Sequence, residues 1–383
     1  MTTAVLLLAF LRVGLVDSFD FARNFDIETT NGTGQVAAHV VSRGANVLWW
    51  RTNGGAILRY PSKEEPKPYL QRPFSKLRVH DQRLFFGPLR LDRGETNLVV
   101  HARDWCRLKG VPFGIHMSYE ENHSGASLIG EWNTRHPEYW CRPKSGTPWP
   151  GRTSMTYREV FARKLRIIAE QLDMEPEWFY VDMARTGGWT LGYEYVEPMT
   201  EKWRELYGCE PPDDATDERW VRLFEPYQTA FFRAIKGLIR ERGGRTKLCV
   251  SLNEVDVGAD PAWRRFALDW RRLAADGTID VLVVASVKPA AHPPRKEFWD
   301  YMRRVYQSVM DARGQAEVMF SCSMYDYQPG IPSYVRWSGD TRATVARKLL
   351  DLAKDVGGTG VILECVDYPN YPDDVVKALE SFH

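Results

Sequence analysis

The chain has 383 residues, too many for one small module but suited either to a single (β/α)8 barrel with insertions or to two ordinary domains. Hydrophobic residues make up 44% and charged residues 26%, a balance that excludes long disordered or fibrous stretches. Lys+Arg 51 against Asp+Glu 50 leaves +1, so no net field is available to hold a polyanion, and nucleic acid is excluded as a general partner.

The chain opens MTTAVLLLAFLRVGLV, an apolar run with no basic residue before it and no small-x-small cleavage site closely after it. It reads as a buried parallel strand over Ala4–Phe10, hydrogen-bonded to Val361–Glu364, in a cytoplasmic protein. The competing reading is a signal peptide over residues 1–16, which would make the protein secreted. No run reaches the roughly 18 apolar residues of a membrane span, so no membrane partner is expected.

Further short apolar runs follow: NVLWW, VPFGIHMS, WFYVDMA, KLCVSLNE, IDVLVVAS, EVMFSCSMY and GVILEC. With the first they make eight, each rich in Val, Ile, Phe or Leu without strict alternation, as parallel strands covered on both faces should be. Helical patterns lie between them. Tyr157, Val160, Phe161, Leu165, Ile168 and Leu172 recur at helical spacing, with Thr156 and Glu159 in the form of a capping box. A long helical region from Met199 to Arg242 is interrupted at Pro211-Pro212 and stops at Gly243-Gly244. Later helices run through Trp299 to Ala312, Thr341 to Val356 and Asp373 to Phe382. This order predicts an α/β fold, a single (β/α)8 TIM barrel over residues 1–383, with long loops 52–94 and 118–154 at the C-terminal face of the strands. A doubly wound nucleotide-binding sheet would need a glycine-rich phosphate turn after an early strand, and none appears.

Cys249, Cys322 and Cys365 lie in strand-like runs, where cysteine packs as a small hydrophobe. Cys106, Cys141 and Cys209 form no Cys/His metal spacing. The first strand lacks His-x-His and strands five and six end without histidine, so neither a metal nor a cofactor is expected.

In a barrel, the last residues of each strand point into the mouth. The second strand ends in Trp49, Trp50, Arg51 and Asn53, the third in His116 and Tyr119, and the fourth in Asp182, followed by Arg185 and Trp189. The fifth ends in Asn253 and Glu254, the seventh in Tyr325 and Asp326, and the eighth in Glu364. Asp182 and Glu254 hold matching places on neighbouring strands, about 4.8 Å apart. Two carboxylates facing one gap can hold different protonation states, which glycoside hydrolysis requires of its acid and its nucleophile or base. Glu364 is a second partner for Glu254 across the mouth. Arg51 is expected to donate to a ligand or to order a catalytic carboxylate, because a charge straight after a buried run needs a partner. His116, Tyr119, Arg185, Asn253, Tyr325 and Asp326 are candidate ligand contacts, and aromatic faces such as Trp49, Trp50 and Trp189 suit the C–H face of a pyranose.

Several segments carry a resemblance: WNTRHPEYWCRPKSG before the third helix, FYVDMAR on strand four, EPMTEKWRELYGCEPP after it, VSLNEVD on strand five, and the pattern containing Trp270, Asp276 and Asp280. In these the chain resembles the glycoside hydrolase-like TIM-barrel proteins of bacteria, over most of its length. The resemblance implies an alpha-amylase type of arrangement, with Asp182 as nucleophile and Glu254 as acid/base. Where such enzymes carry Arg two residues before the nucleophile, this chain has Tyr180.

The expectation is therefore a retaining glycosidase that cleaves an oligo- or polysaccharide with a carboxylate pair. Two alternatives stay open: a catalytically silent carbohydrate-binding barrel, and a non-glycosidic hydrolase or lyase using the same carboxylates.

Overall fold

The computed structural model describes residues 10–16, 30–54, 57–58, 60–64, 68–70, 97–119, 128–183, 190–252, 261–285, 294–322, 333–363 and 372–380. Eight parallel strands close into a barrel: β1 (Leu11–Val16), β2 (Val47–Arg51), β3 (Phe113–Ser118), β4 (Trp178–Asp182), β5 (Lys247–Leu252), β6 (Val281–Val284), β7 (Glu317–Ser321) and β8 (Gly360–Leu363). They follow one another round the ring in chain order, and β8 closes on β1. The crossovers carry α1 (Thr30–Ser42), α2 (Leu98–Lys109), α3 (Arg158–Leu172), α4 (Glu218–Glu241), α5 (Trp270–Ala275), α6 (Phe298–Ala312) and α7 (Arg342–Asp355), and α8 (Asp373–Glu380) follows β8. The alternation of runs predicts this (β/α)8 TIM barrel.

The first strand lies further along the chain than its apolar pattern suggests. Leu11, Arg12, Val13 and Gly14 pair with Gly360, Val361, Ile362 and Leu363, so β1 is Leu11–Val16 and not Ala4–Phe10. Of that expected strand, residues 4–9 lie outside the described residues. Arg12 fixes the register. Its backbone N–H donates to Asn46 Oδ1 at 2.7 Å and its Nε to the Gly44 carbonyl at 2.7 Å, which anchors the entrance of the strand. The arginine inside the apolar run is thus the polar foot of the strand.

The capping box also differs. Tyr157 stands at the N-cap of α3 without a side-chain cap bond, while the Thr156 hydroxyl bonds Ser154 Oγ at 2.7 Å. The expected break in the long helical region is present, as a helix over Glu197–Tyr207 followed by α4. Gly243 and Gly244 adopt φ of 90° and 68° after α4, and the Gly244 N–H reaches back to the Ile239 carbonyl at 2.9 Å.

Because side chains alternate along a strand, the core has two shells. Val13, Leu15, Val47, Trp49, Trp178, Tyr180, Cys249, Val283, Met319 and Ile362 fill the barrel. Leu48, Trp50, Phe179, Val181, Leu248 and Val250 face outward under the helices, packed with residues such as Trp220, Phe231 and Leu349. At the strand entrances Asp280 accepts from Lys236 Nζ at 2.6 Å and from the Leu248 N–H at 2.7 Å. Trp270 lies in the outer shell and Asp276 caps the turn at Thr278, so the Trp270-to-Asp280 pattern serves the scaffold.

The two long loops are joined. Pro68–Leu70 pairs antiparallel with Leu128–Gly130. The earlier part of the first loop is tied to α3, where Ser62 Oγ and the Lys63 N–H both donate to the Glu170 carboxylate. Among the described residues, no helix is long and apolar enough to cross a membrane.

Candidate active site

In β4, Phe179 and Val181 face the helices while Trp178, Tyr180 and, by the same alternation, Asp182 occupy the interior. The rule places Arg51 above Trp49, His116 and Ser118 above Gly114, Ser251 above Cys249, and Ser321 above Met319. The interior thus changes from an apolar floor to a buried polar layer at the C-terminal ends of the strands. TIM-barrel enzymes carry their chemistry at that end.

Asp182 is the centre of this layer. His116 Nε2 on β3 lies 3.0 Å from its Oδ2, and Ser251 Oγ on β5 donates to its Oδ1 at 3.2 Å. Three neighbouring strands therefore meet at one carboxylate. Tyr180 lies beneath, its ring 5.1 Å from His116 and 5.0 Å from Trp49. The residue that replaces the expected arginine thus joins the aromatic floor.

Arg51 is 2% exposed, and its Nη2 donates to Ser118 Oγ at 2.9 Å. Asn53 makes a reciprocal pair with the backbone of Ser118, accepting from the N–H at 2.7 Å and donating to the carbonyl at 3.0 Å. This pair holds the chain leaving β2 against the end of β3. Asp182 is register-paired with Ser118 and Arg51 with His116, so Arg51, Asn53, His116 and Asp182 gather at one end of β2, β3 and β4.

Other candidates stand elsewhere. Trp49 is buried in the floor, and Trp50 points the opposite way, into the shell beneath the helices. Tyr119 also belongs to that shell, where its hydroxyl donates to Gln228 Oε1 at 3.1 Å and its ring meets Phe231 edge-on. Arg185, Trp189, Asn253, Glu254, Tyr325, Asp326 and Glu364 lie outside the described residues.

The sequence reading missed Ser251, whose interior place follows only once Cys249, two residues before it, is seen to face into the barrel. Burial pushes the Cys249 thiol well up, so it stays protonated beneath the polar layer and is no nucleophile. Glu194 was missed as well. It is buried in the loop after β4 and accepts from Ser154 Oγ and, at 3.4 Å, from Cys141 Sγ. Trp149 in the loop after β3 is covered by Arg152 at 3.6 Å and by Tyr193 at 4.2 Å. Among the described residues, no three His, Cys, Asp or Glu side chains cluster as metal ligands.

Comparison of the sequence with protein-family models and with curated proteins finds no match. Solved structures do match, across almost the whole chain. The PgaB (BpsB) glycoside hydrolase domain from Bordetella bronchiseptica is 11% identical, with a TM-score of 0.61 over 98% of this chain and 99% of that one. The catalytic domain of a beta-amylase from Paenibacillus polymyxa is 10% identical, with a TM-score of 0.54 over 96% and 94%. A GH20 exo beta-N-acetylglucosaminidase from Vibrio harveyi is 11% identical, with a TM-score of 0.53 over 97% of this chain and 54% of that one. The chain therefore has the TIM-barrel fold that these glycoside hydrolases share.

Proposed function

We propose that the protein is a glycoside hydrolase that cleaves an oligo- or polysaccharide with a carboxylate pair, Asp182 and Glu254. The observation that carries this reading is Asp182 itself: a carboxylate at the C-terminal end of β4, in the barrel interior, with donors on both oxygens. Burying such a group costs free energy, and a structural role would be met as well by a neutral side chain. Glu254 follows Leu252, the last residue of β5, by two positions in the sequence. A nucleophile and an acid/base on adjacent strands would favour retention of configuration. Arg185 and Trp189 after β4, Asn253 after β5, and Tyr325 and Asp326 after β7 would supply sugar contacts. The likeness to glycoside hydrolases supports the carbohydrate class.

The test is turnover on a panel of nitrophenyl glycosides and polysaccharides, for the parent and for Asp182→Asn. Hydrolysis by the parent and none by the variant is the expected result. Binding of a glycan without turnover would make the protein a carbohydrate-binding barrel, and near-parent rates in Asp182→Asn would remove Asp182 from the chemistry.

One observation favours a second reading. The 3.0 Å contact between His116 and Asp182 is also how a carboxylate orients a histidine base, which would suit a hydrolase of another bond. Cleavage of esters or amides with no glycoside turned over would support it.

A further inference from the structure

We infer that His116 and Ser251 are positioning residues for Asp182 and that neither acts on the substrate. The inference rests on the reading of Asp182 as the catalytic carboxylate.

The two donors address different oxygens from different strands: His116 Nε2 reaches Oδ2 from β3 at 3.0 Å, and Ser251 Oγ reaches Oδ1 from β5 at 3.2 Å. The terminal torsion of an aspartate is broad and roughly two-fold, so a carboxylate on its own sweeps a wide range of planes. Donors on both oxygens select one plane, and an attacking oxygen held in one direction gains rate through orientation. The His116 ring is itself fixed from below by Tyr180 at 5.1 Å.

Burial assigns the roles. A histidine acting on a substrate as base must present its second nitrogen to the mouth, but His116 Nδ1 is buried and the residue is 1% exposed. Ser251 is fully buried, with its hydroxyl directed to the Asp182 carboxylate. His116 and Ser251 therefore work through the carboxylate.

The experiment compares kcat and KM for Ser251→Ala and His116→Leu with those for the conservative Ser251→Thr and His116→Gln, which restore a donor. Loss of either hydrogen bond to the carboxylate should lower kcat about ten- to a hundredfold while KM stays within about twofold. The conservative variants should recover most of that loss. A purely structural role would instead lower the melting temperature of Ser251→Ala and leave kcat of the folded fraction untouched. Parent-like kcat in both Ser251→Ala and His116→Leu, with Asp182→Asn inactive, overturns the inference and leaves the catalytic reading standing. Parent-like turnover in Asp182→Asn removes that reading. A readout independent of turnover is the ¹⁵N spectrum of His116: its Nε2 proton should be protected from exchange and should shift in Asp182→Asn, and an unchanged signal counts against the contact.

Discussion

Gly114 and Trp49 share one volume inside the barrel: a Cβ on Gly114 would stand 2.3 Å from Trp49 Cδ1 and 2.6 Å from its Nε1. The two residues are register partners on β3 and β2. β3 gives up a side chain at this height, and the indole lies across the space as the floor against which Tyr180, and on it His116, pack at a tilt.

Gly114→Ala should therefore cost stability. The new methyl would press on the indole and stand 3.1 Å from the Trp178 carbonyl, so the ring must turn within a packed interior. Overpacking of this kind costs about 1–3 kcal/mol. Adding Trp49→Leu should relieve part of it, so that the double variant loses less than the two single losses combined. Urea unfolding of the four proteins reads this, and an alanine at 114 as stable as glycine would place the indole elsewhere.

The closure of the barrel has its own test at Gly360. A Cβ there would stand 2.6 Å from the Leu11 carbonyl oxygen and 2.7 Å from Leu11 Cβ. Backbone cannot yield as a flexible side chain can. Gly360→Ala should push β1 from β8, lower stability by about 1–3 kcal/mol and speed proteolysis near the N-terminus. Unchanged stability and unchanged cleavage would mean that Leu11 is not the partner of Gly360.

What could be read in advance follows the strength of each signal. Seven of the eight strands coincide with their apolar runs, because a parallel strand buried on both faces has few polar positions to blur it. β1 moved because Ala4–Phe10 is more apolar than Leu11–Val16, and hydropathy does not report that Arg12 bonds Gly44 and Asn46. Asp182 was legible as a charge at the edge of an apolar run. Ser251 was not, since a serine inside KLCVSL reads as a neutral strand position until β4 is set beside it. Trp50 and Tyr119 show the limit of counting strand ends: one step in sequence turns a side chain to the other face, and both went outward.

Asp340, just before α7, gives a pH test. Burial alone would raise its carboxyl, but hydrogen bonds from Lys348 Nζ at 2.9 Å and Trp299 Nε1 at 2.8 Å outweigh that and hold it below the usual carboxylate range. A group whose folded pKa is depressed contributes stability that is complete above its unfolded pKa and drains away as pH falls through the folded one. The parent should exceed Asp340→Asn in stability by about 0.2–1 kcal/mol near neutrality, since the pair is partly solvated. That gap should hold down to about pH 5 and close below about pH 4. A gap that widens on acidification would reverse the assignment.

If Asp182 is the catalytic carboxylate proposed above, its partner decides the chemistry, and Glu254 and Glu364 predict different kinetics. With Glu254 as acid/base, Glu254→Gln should lose substrates with poor leaving groups and spare only the first, glycosylation step of those whose leaving groups depart without protonation. Such substrates would then stall at the glycosyl-enzyme, because no base remains to activate water. Azide should rescue this second step in Glu254→Ala, since a small anion attacks without general-base help, and the product should be a glycosyl azide. Glu364→Gln should keep most of its activity in this case. If Glu364→Gln is inactive while Asp182→Asn turns over at near-parent rates, the pair is Glu254 with Glu364, and Asp182 serves the layer without attacking. The first-formed anomer, followed by NMR, tests the stereochemistry separately. Adjacent strands predict retention, and an inverted product would remove the covalent intermediate whichever carboxylates are used.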